Sequence, residues 1–245
     1  DGVLELQKKT ALGEGCGKLL GQNLRAMVAA WGGKTEDYAI ETKGQGWAAW
    51  NARALPKFET TYLTANRGGD HLTGADIATQ NTRLMNDSLG VCLFPQLAGF
   101  RPETMKDLLN AAAGYRMNMG DYWKAAERIY TLERCFNVAN GFGRQDDTVP
   151  PRMYKEKLSV GAAKGAILKV EEINKLLDDY YGDRGWSRQG IPTRATLDKL
   201  GLEDTVLKTH VAYDIGARKL IRHLSQHLDA PALLRLAALP DVKSI

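Results

Sequence analysis

The segment from Asn86 to Cys92 places a carboxylate, a glycine and a thiol within one short stretch of the chain. A thiolate is a good ligand for iron or another soft metal, and an aspartate such as Asp87 can accept hydrogen bonds from the NH groups of a heterocycle. Gly90 would let backbone amides approach a cofactor closely. Spacing alone leaves a second interpretation open, because a single cysteine beside apolar residues is often a small buried hydrophobe.

A second candidate is the loop from Asn66 to His71, in which two glycines precede Asp70 and His71. An imidazole on a loop is a group that could act as an acid or base on a substrate near neutral pH. The alternative is an ordinary loop in which Asp70 bonds its own backbone and His71 packs or is solvated. The residues alone leave both interpretations open.

The other cysteines and histidines indicate no further metal site. The three cysteines lie far apart without a CxxC pair, which argues against a disulfide framework and against a metal site built by this chain alone. His223 and His227 are four residues apart, on one helical face, but they lack the acidic residue of the metalloprotease pattern. We interpret them as part of a solvated face.

Helical periodicity dominates the rest of the sequence and predicts an all-α fold with minor β structure. Helices are predicted over residues 17 to 31, 102 to 114, 121 to 138 and 170 to 181. The best strand signal covers residues 38 to 42. Residues 43 to 71 and 144 to 165 are predicted to be long loops. Residues 205 to 245 again have a helical pattern and are interpreted as a separate terminal hairpin.

The composition limits the classes of partner. An apolar fraction of 44% over 245 residues is enough to bury a core. The 33 Lys and Arg are interspersed among 29 Asp and Glu, which argues against nucleic-acid binding. No apolar run approaches the roughly 18 residues of a membrane span, and no signal pattern is present. We therefore expect a soluble, cytoplasmic protein with no membrane partner.

Several segments together resemble the C-terminal part of the aldehyde ferredoxin oxidoreductase family of tungsten- or molybdenum-pterin enzymes. Residues 127–138 and 141–150 are similar to a helix of that family and the loop that follows it. Residues 176–181, 184–186, 190–193 and 197–202 resemble its closing segment. The resemblance identifies residues 1–204 as the helical C-terminal region of a larger enzyme. Residues 205–245 have no counterpart and are interpreted as a helical extension.

The resemblance also assigns roles to the two candidate segments. The stretch from Asp87 to Cys92 matches the second pterin motif of the family, which implies that Cys92 is the fourth ligand of a [4Fe-4S] cluster. Asp87 then binds the pterin, within a cofactor-binding segment that includes Gly90 and Val91. The segment from Arg67 to His71 resembles the loop by which the family brings a histidine to the substrate beside the metal, which implies that His71 is the catalytic histidine.

The resemblance also suggests roles for the remaining cysteines, and the sequence departs from the family pattern in several places. Cys135 falls where the family has an apolar residue of the long helix, so we interpret it as core, and Cys16 likewise. The first three cluster cysteines, the first pterin motif, the N-terminal β domain and the glutamate usually paired with the active-site histidine are absent. The stretch from His71 to Cys92 is also shorter than usual.

The resemblance implies a tungsten- or molybdenum-bis-pterin oxidoreductase that oxidises aldehydes to carboxylic acids. Electrons would pass through the [4Fe-4S] cluster to ferredoxin or an iron-sulfur electron-transfer subunit. Its partners would be the N-terminal pterin-binding portion of the enzyme and further subunits of an oligomer. Two alternatives remain open: the catalytic subunit of a benzoyl-CoA reductase of the same superfamily, and a non-catalytic helical scaffold.

Overall fold

The computed structural model describes residues 2–202 except residues 49, 56 and 57. The described residues form eleven α-helices and one two-stranded antiparallel hairpin, so the fold is of the predicted all-α class. The helices are α1 Gly2–Leu12, α2 Gly17–Leu20, α3 Leu24–Trp31, α4 Phe58–Thr64, α5 Ile77–Ser88, α6 Leu93–Leu97, α7 Pro102–Ala113, α8 Met119–Ala139, α9 Arg152–Lys155, α10 Val170–Asp183 and α11 Arg194–Leu200. The strands are β1 Glu41–Thr42 and β2 Gln45–Gly46. The predicted extension at 205–245, with His223 and His227, lies outside the described residues.

The long helices follow the local signals in the sequence. α8 begins with a capping box in which Asn118 and Asp121 satisfy each other's backbone amides. α7 has Pro102 in its first turn and ends before Gly114, which adopts a left-handed conformation. The predictions over 102–114, 121–138 and 170–181 are confirmed to within a few residues. No helix in the described part of the chain is long and apolar enough to cross a membrane.

Four local predictions are wrong in part. The helix predicted over 17–31 is broken into α2 and α3, because the Asn23 side chain accepts a hydrogen bond from Ala26 N and starts a new helix. The predicted loop 43–71 contains β2 and α4, the latter with Tyr62 and Leu63 fully buried. The predicted strand 38–42 is reduced to β1, and the loop 144–165 contains α9.

The main core joins α4, α5, α8 and α10, with a second cluster where α8 meets α11. The main cluster consists of Leu63, Leu84, Tyr130, Val149, Met153, Ile173, Leu177, Tyr180, Tyr181 and Trp186. Cys135 is buried in the second cluster, as predicted. Cys16 is exposed, so its assignment to the core is wrong. It precedes the four-residue helix α2, where only Gly17 is buried and little apolar surface covers the thiol.

Two buried charged groups hold the helices that carry the site. Arg184 donates to Asn81 and Gln80 on α5 and to Glu127 on α8, which ties these helices to the end of α10. Asp147 accepts hydrogen bonds from Arg134 and from the Tyr181 hydroxyl.

The ammonium of Lys43 also lies 2.6 Å from Asp147 and donates to the Leu63 carbonyl. We call Lys43, Arg134, Asp147 and Tyr181 the ion cluster. Burial lowers the pKa of Lys43, and the charge of Asp147 offsets this only in part. The ion cluster fixes the turn of the β hairpin against α8 and α10.

Candidate active site

The segment with Asp87 and Cys92 connects α5 to α6. α5 ends at Ser88, and Gly90 reverses the chain with a φ of 67° in the left-handed region. A Cβ at Gly90 would meet no neighbour, so glycine is required there by the backbone angle alone. The amide of Val91 closes the turn by donating to the Asn86 carbonyl. Cys92 then stands at the first position before α6.

Asp87 and Cys92 are both exposed to solvent. The interpretation of Cys92 as a small buried hydrophobe is therefore wrong for this structure, and its thiol is accessible. Within the described residues, no group of three or more His, Cys, Asp or Glu side chains is placed to hold a metal ion. A metal centre bound through Cys92 therefore needs further ligands from outside these residues.

The loop from Asn66 to His71 packs on the β hairpin through its two glycines. The amide of Gly69 donates to the Thr42 carbonyl, and a Cβ at Gly68 would stand 2.6 Å from the same oxygen. A Cβ at Gly69 would stand 2.5 Å from the Gln45 carbonyl oxygen. Any larger residue at either position would push the loop away from the hairpin. The glycines are thus explained by close backbone approach.

Asp70 and His71 differ in their surroundings. Asp70 is buried and accepts hydrogen bonds from the Leu72 amide and the Thr73 hydroxyl, so it stabilises the loop itself, as the ordinary-loop alternative expected. The His71 side chain is half-buried and forms no hydrogen bond or ion pair with the described residues. None of these described residues holds the imidazole in a way that would prevent it from meeting a ligand.

Arg67 joins the two candidate segments. Its guanidinium lies 2.5 Å from a carboxylate oxygen of Asp70 and 3.4 Å from one of Asp87. The Arg67 and Asp87 side chains are 55% and 57% exposed, so the ion pair between them adds little stability. The ion pair matters because it shows that Arg67 and Asp87, which are 20 positions apart in the chain, face the same space.

That space is a cavity of about 290 Å³ between the loop, α5 and α8. Its wall includes Asn66, Arg67, Arg83, Asp87 and Glu133. Neither His71 nor Cys92 belongs to the wall. The structure therefore brings Asp87 and the start of the histidine loop to one cavity and leaves the imidazole and the thiol outside it.

Glu133 and Arg83 were missed by the sequence analysis, because each is one polar residue on an amphipathic helix. Burial raises the pKa of Glu133, and the hydrogen bond that Asn66 donates to it at 3.1 Å opposes the shift. Burial lowers the pKa of Arg83, and the charges of Asp87 and Asp70 oppose that shift. Only the packing of α5 against α8 reveals that these side chains share a cavity.

Comparisons with known proteins place this geometry in a family. A family described as aldehyde ferredoxin oxidoreductase, domains 2 and 3, matches residues 1–202. A tungsten-containing aldehyde ferredoxin oxidoreductase of Pyrococcus abyssi is 29% identical over 81% of this chain and 36% of its own length. An aliphatic sulfonate oxidoreductase, WOR-like subunit, of Pyrococcus furiosus is 29% identical over 77% of this chain and 32% of its own.

A solved structure has the same fold. The active-site complex of benzoyl-coenzyme A reductase with 1,5-dienoyl-CoA superposes with a TM-score of 0.62, covering 85% of this chain and 40% of that one, at 20% identity. The chain spans about a third of the length of the curated relatives that it matches. Since the family match covers most of the sequence, this chain belongs to the aldehyde ferredoxin oxidoreductase family, in the region of its domains 2 and 3.

Proposed function

We propose that this chain forms one wall of the active site of a tungsten- or molybdenum-bis-pterin oxidoreductase that oxidises an aldehyde to a carboxylic acid. The observation that carries the proposal is the meeting of the two candidate segments at Arg67, which contacts both Asp70 and Asp87. A pterin-binding aspartate and a substrate-facing histidine must lie near each other in such a site. The tungsten named in the relatives favours tungsten here.

The residues of the α5–α6 connection suit a pterin and an iron-sulfur cluster. The exposed carboxylate of Asp87 would accept hydrogen bonds from the pterin NH groups. The open space at Gly90 and the adjacent backbone of Val91 would lie along the cofactor. The exposed Cys92 thiol would be one ligand of a [4Fe-4S] cluster, with the other three supplied by the remainder of the enzyme.

When bound, such groups supply two-electron oxidation of the substrate and single-electron transfer onward to ferredoxin or an iron-sulfur subunit. The reaction of an aldehyde with water to give an acid releases two protons with the two electrons. We assign one of these protons to an imidazole nitrogen of His71, as the proton acceptor of the reaction. His71 forms no hydrogen bond or ion pair with the described residues, and this supports the role.

The test uses the complete protein, purified from a host that supplies tungsten, molybdenum and pterin. We expect metal and pterin to copurify, and short aldehydes to reduce ferredoxin or a viologen dye. A fully folded protein without metal or pterin would contradict the proposal and indicate a scaffold. Metal-loaded protein that is inert to aldehydes and reduces an aryl-CoA thioester would instead indicate the benzoyl-CoA reductase alternative.

A further inference from the structure

A second cavity lies between the segment that follows the β hairpin and α9 with the residues after it. Its volume is about 480 Å³, and its wall includes Trp47, Trp50, Arg53 and Arg152. The wall shares no residue with that of the cavity at Arg67. The volume is within the range of about 300–1,000 Å³ that is typical of small-molecule sites. A wall of aromatic rings and cations suits a flat, negatively charged ligand.

The aromatic part of the wall is held in place by the core. The Trp47 ring stacks on Tyr62, with centroids 4.1 Å apart, and its Nε1 donates to the Thr42 hydroxyl. The Tyr62 hydroxyl donates to the carbonyls of Ala48 and Trp50, which fixes the backbone that carries the second indole. Trp50 is 49% exposed. About half of this large aromatic residue is therefore accessible to a ligand.

The cationic part of the wall joins the same segment to α9. Nη1 of Arg53 donates to the carbonyls of Arg152 and Glu156, and its Nε donates to Oδ1 of Asn51. Burial lowers the pKa of Arg53, and the neighbouring charge of Arg152 lowers it further. The two guanidinium groups are thus held close enough to repel each other. Glu156, which pairs with Arg152 at 2.7 Å, opposes this repulsion only in part.

The wall carries an excess of positive charge. Lys157 also lines the cavity, is exposed, and forms no hydrogen bond or ion pair with the described residues. With it, the described wall has three cations and one carboxylate, a net charge of +2. Residues 152–169 contain five Lys or Arg and one acidic residue, so the neighbouring chain adds to the positive field. A bound anion would relieve the repulsion among these groups.

The two parts of the wall together select the class of ligand. Phosphate oxygens suit arginine and lysine, and arginine can bind them through two parallel hydrogen bonds. Every nucleobase has a flat face that stacks on an aromatic side chain. A diphosphate carries more than one negative charge at neutral pH, as the excess of cations in the wall requires. An aromatic carboxylate would offer a single charge and leave part of that excess unmatched.

We propose that this cavity binds a nucleoside diphosphate, with the base against Trp50 and the phosphates beside Arg53, Arg152 and Lys157. Nothing in this assignment depends on the oxidation of an aldehyde. Binding is measured without turnover, so the inference and the proposed function fail or succeed separately.

The first test is isothermal titration calorimetry of the complete protein with ADP, adenosine and inorganic pyrophosphate. ADP should bind, and each of the other two should bind at least tenfold more weakly, because neither uses both parts of the wall. Trp50→Ala should weaken ADP by about 5- to 150-fold, the range of one base–aromatic stack. Trp50→Phe should recover part of that loss. Trp31→Ala is the matched control, since Trp31 is also exposed but lies on α3, outside this wall.

The second test removes one charge from the wall. Lys157→Gln should weaken ADP by about two- to fivefold, the range of one exposed ion pair, and leave adenosine unchanged. Lys164→Gln removes the same charge from the same basic segment but outside the wall, so it should have no effect. Equal losses for the two lysine variants would overturn the inference, because the attraction would then come from the charge of the segment alone. Wild-type protein that binds no ADP at millimolar concentration, or that binds pyrophosphate as tightly as ADP, would overturn it too.

Discussion

Replacing Asp147 by asparagine tests whether the ion cluster holds the hairpin that supports the histidine loop. The Asp147 carboxylate lies 2.7 Å from Arg134 and 2.6 Å from Lys43, and all three side chains are at most 3% exposed. An asparagine leaves both cations without a counter-charge. Removing one partner of a buried ion pair costs about 3–5 kcal/mol. At about 2–4 °C per kcal/mol, the Tm should fall by about 6 to 20 °C.

The dependence on pH has a defined sign. Burial alone would raise the pKa of Asp147, but the charges of Lys43 and Arg134 outweigh it and lower the pKa. A carboxyl with a pKa lower in the folded state stabilises the protein above its unfolded pKa of about 3.9 and loses that effect as the pH falls through the folded value. The deficit of Asp147→Asn should therefore be full above about pH 5 and should shrink in more acidic solution.

Urea unfolding followed by tryptophan fluorescence measures the effect. Trp186 reports on the cluster directly, since its ring lies 5.3 Å from the Arg134 guanidinium carbon. Asp178→Asn is the control, because this half-exposed partner of Arg144 should contribute no more than about 1 kcal/mol. A loss for Asp147→Asn no larger than that of the control would refute the reasoning.

Two further predictions concern the site itself. Asp87→Ala should lower metal and pterin occupancy, because hydrogen bonds to a charged carboxylate contribute about 1.5–3 kcal/mol. The control is Asp179→Ala on α10. Full cofactor content in the Asp87 variant would assign the role to another residue. His71→Asn should reduce turnover by about 10²- to 10⁴-fold with cofactors intact, as expected for a positioned acid or base. Near-normal turnover in that variant would show that the loop does not serve the reaction, and loss of cofactor would indicate a structural role.

The fold was predictable where the deciding interactions are local. The capping box at Asn118, the proline at the start of α7 and the glycine after it are all visible in the sequence. α4 was not, because its sequence Phe-Glu-Thr-Thr-Tyr-Leu-Thr is rich in β-branched and aromatic residues with low helix propensity. Burial of Tyr62 and Leu63 in the core outweighs that preference.

The site was predictable only in its loops. The glycines of residues 66–71 and 86–92 indicate an unusual backbone conformation or a close backbone contact. A carboxylate, thiol or imidazole beside such a glycine is a candidate site residue. Arg83 and Glu133 have no comparable sequence signal, because charged residues occur on every amphipathic helix. Phe136 is a large apolar residue of α8, yet its side chain is 69% exposed. Which side of a helix meets a cavity is decided by tertiary packing.

The most direct test of the central claim is the iron content and EPR spectrum of the complete protein carrying Cys92→Ala. The proposed function predicts that this variant loses iron or shows an altered cluster signal, because a thiolate ligand of the [4Fe-4S] cluster is removed. Cys16→Ala is the matched control, since that thiol is also exposed but lies outside the pterin motif, and it should leave both measurements unchanged. A Cys92→Ala protein with wild-type iron and an unchanged spectrum would contradict the assignment of this chain as a wall of the metal site.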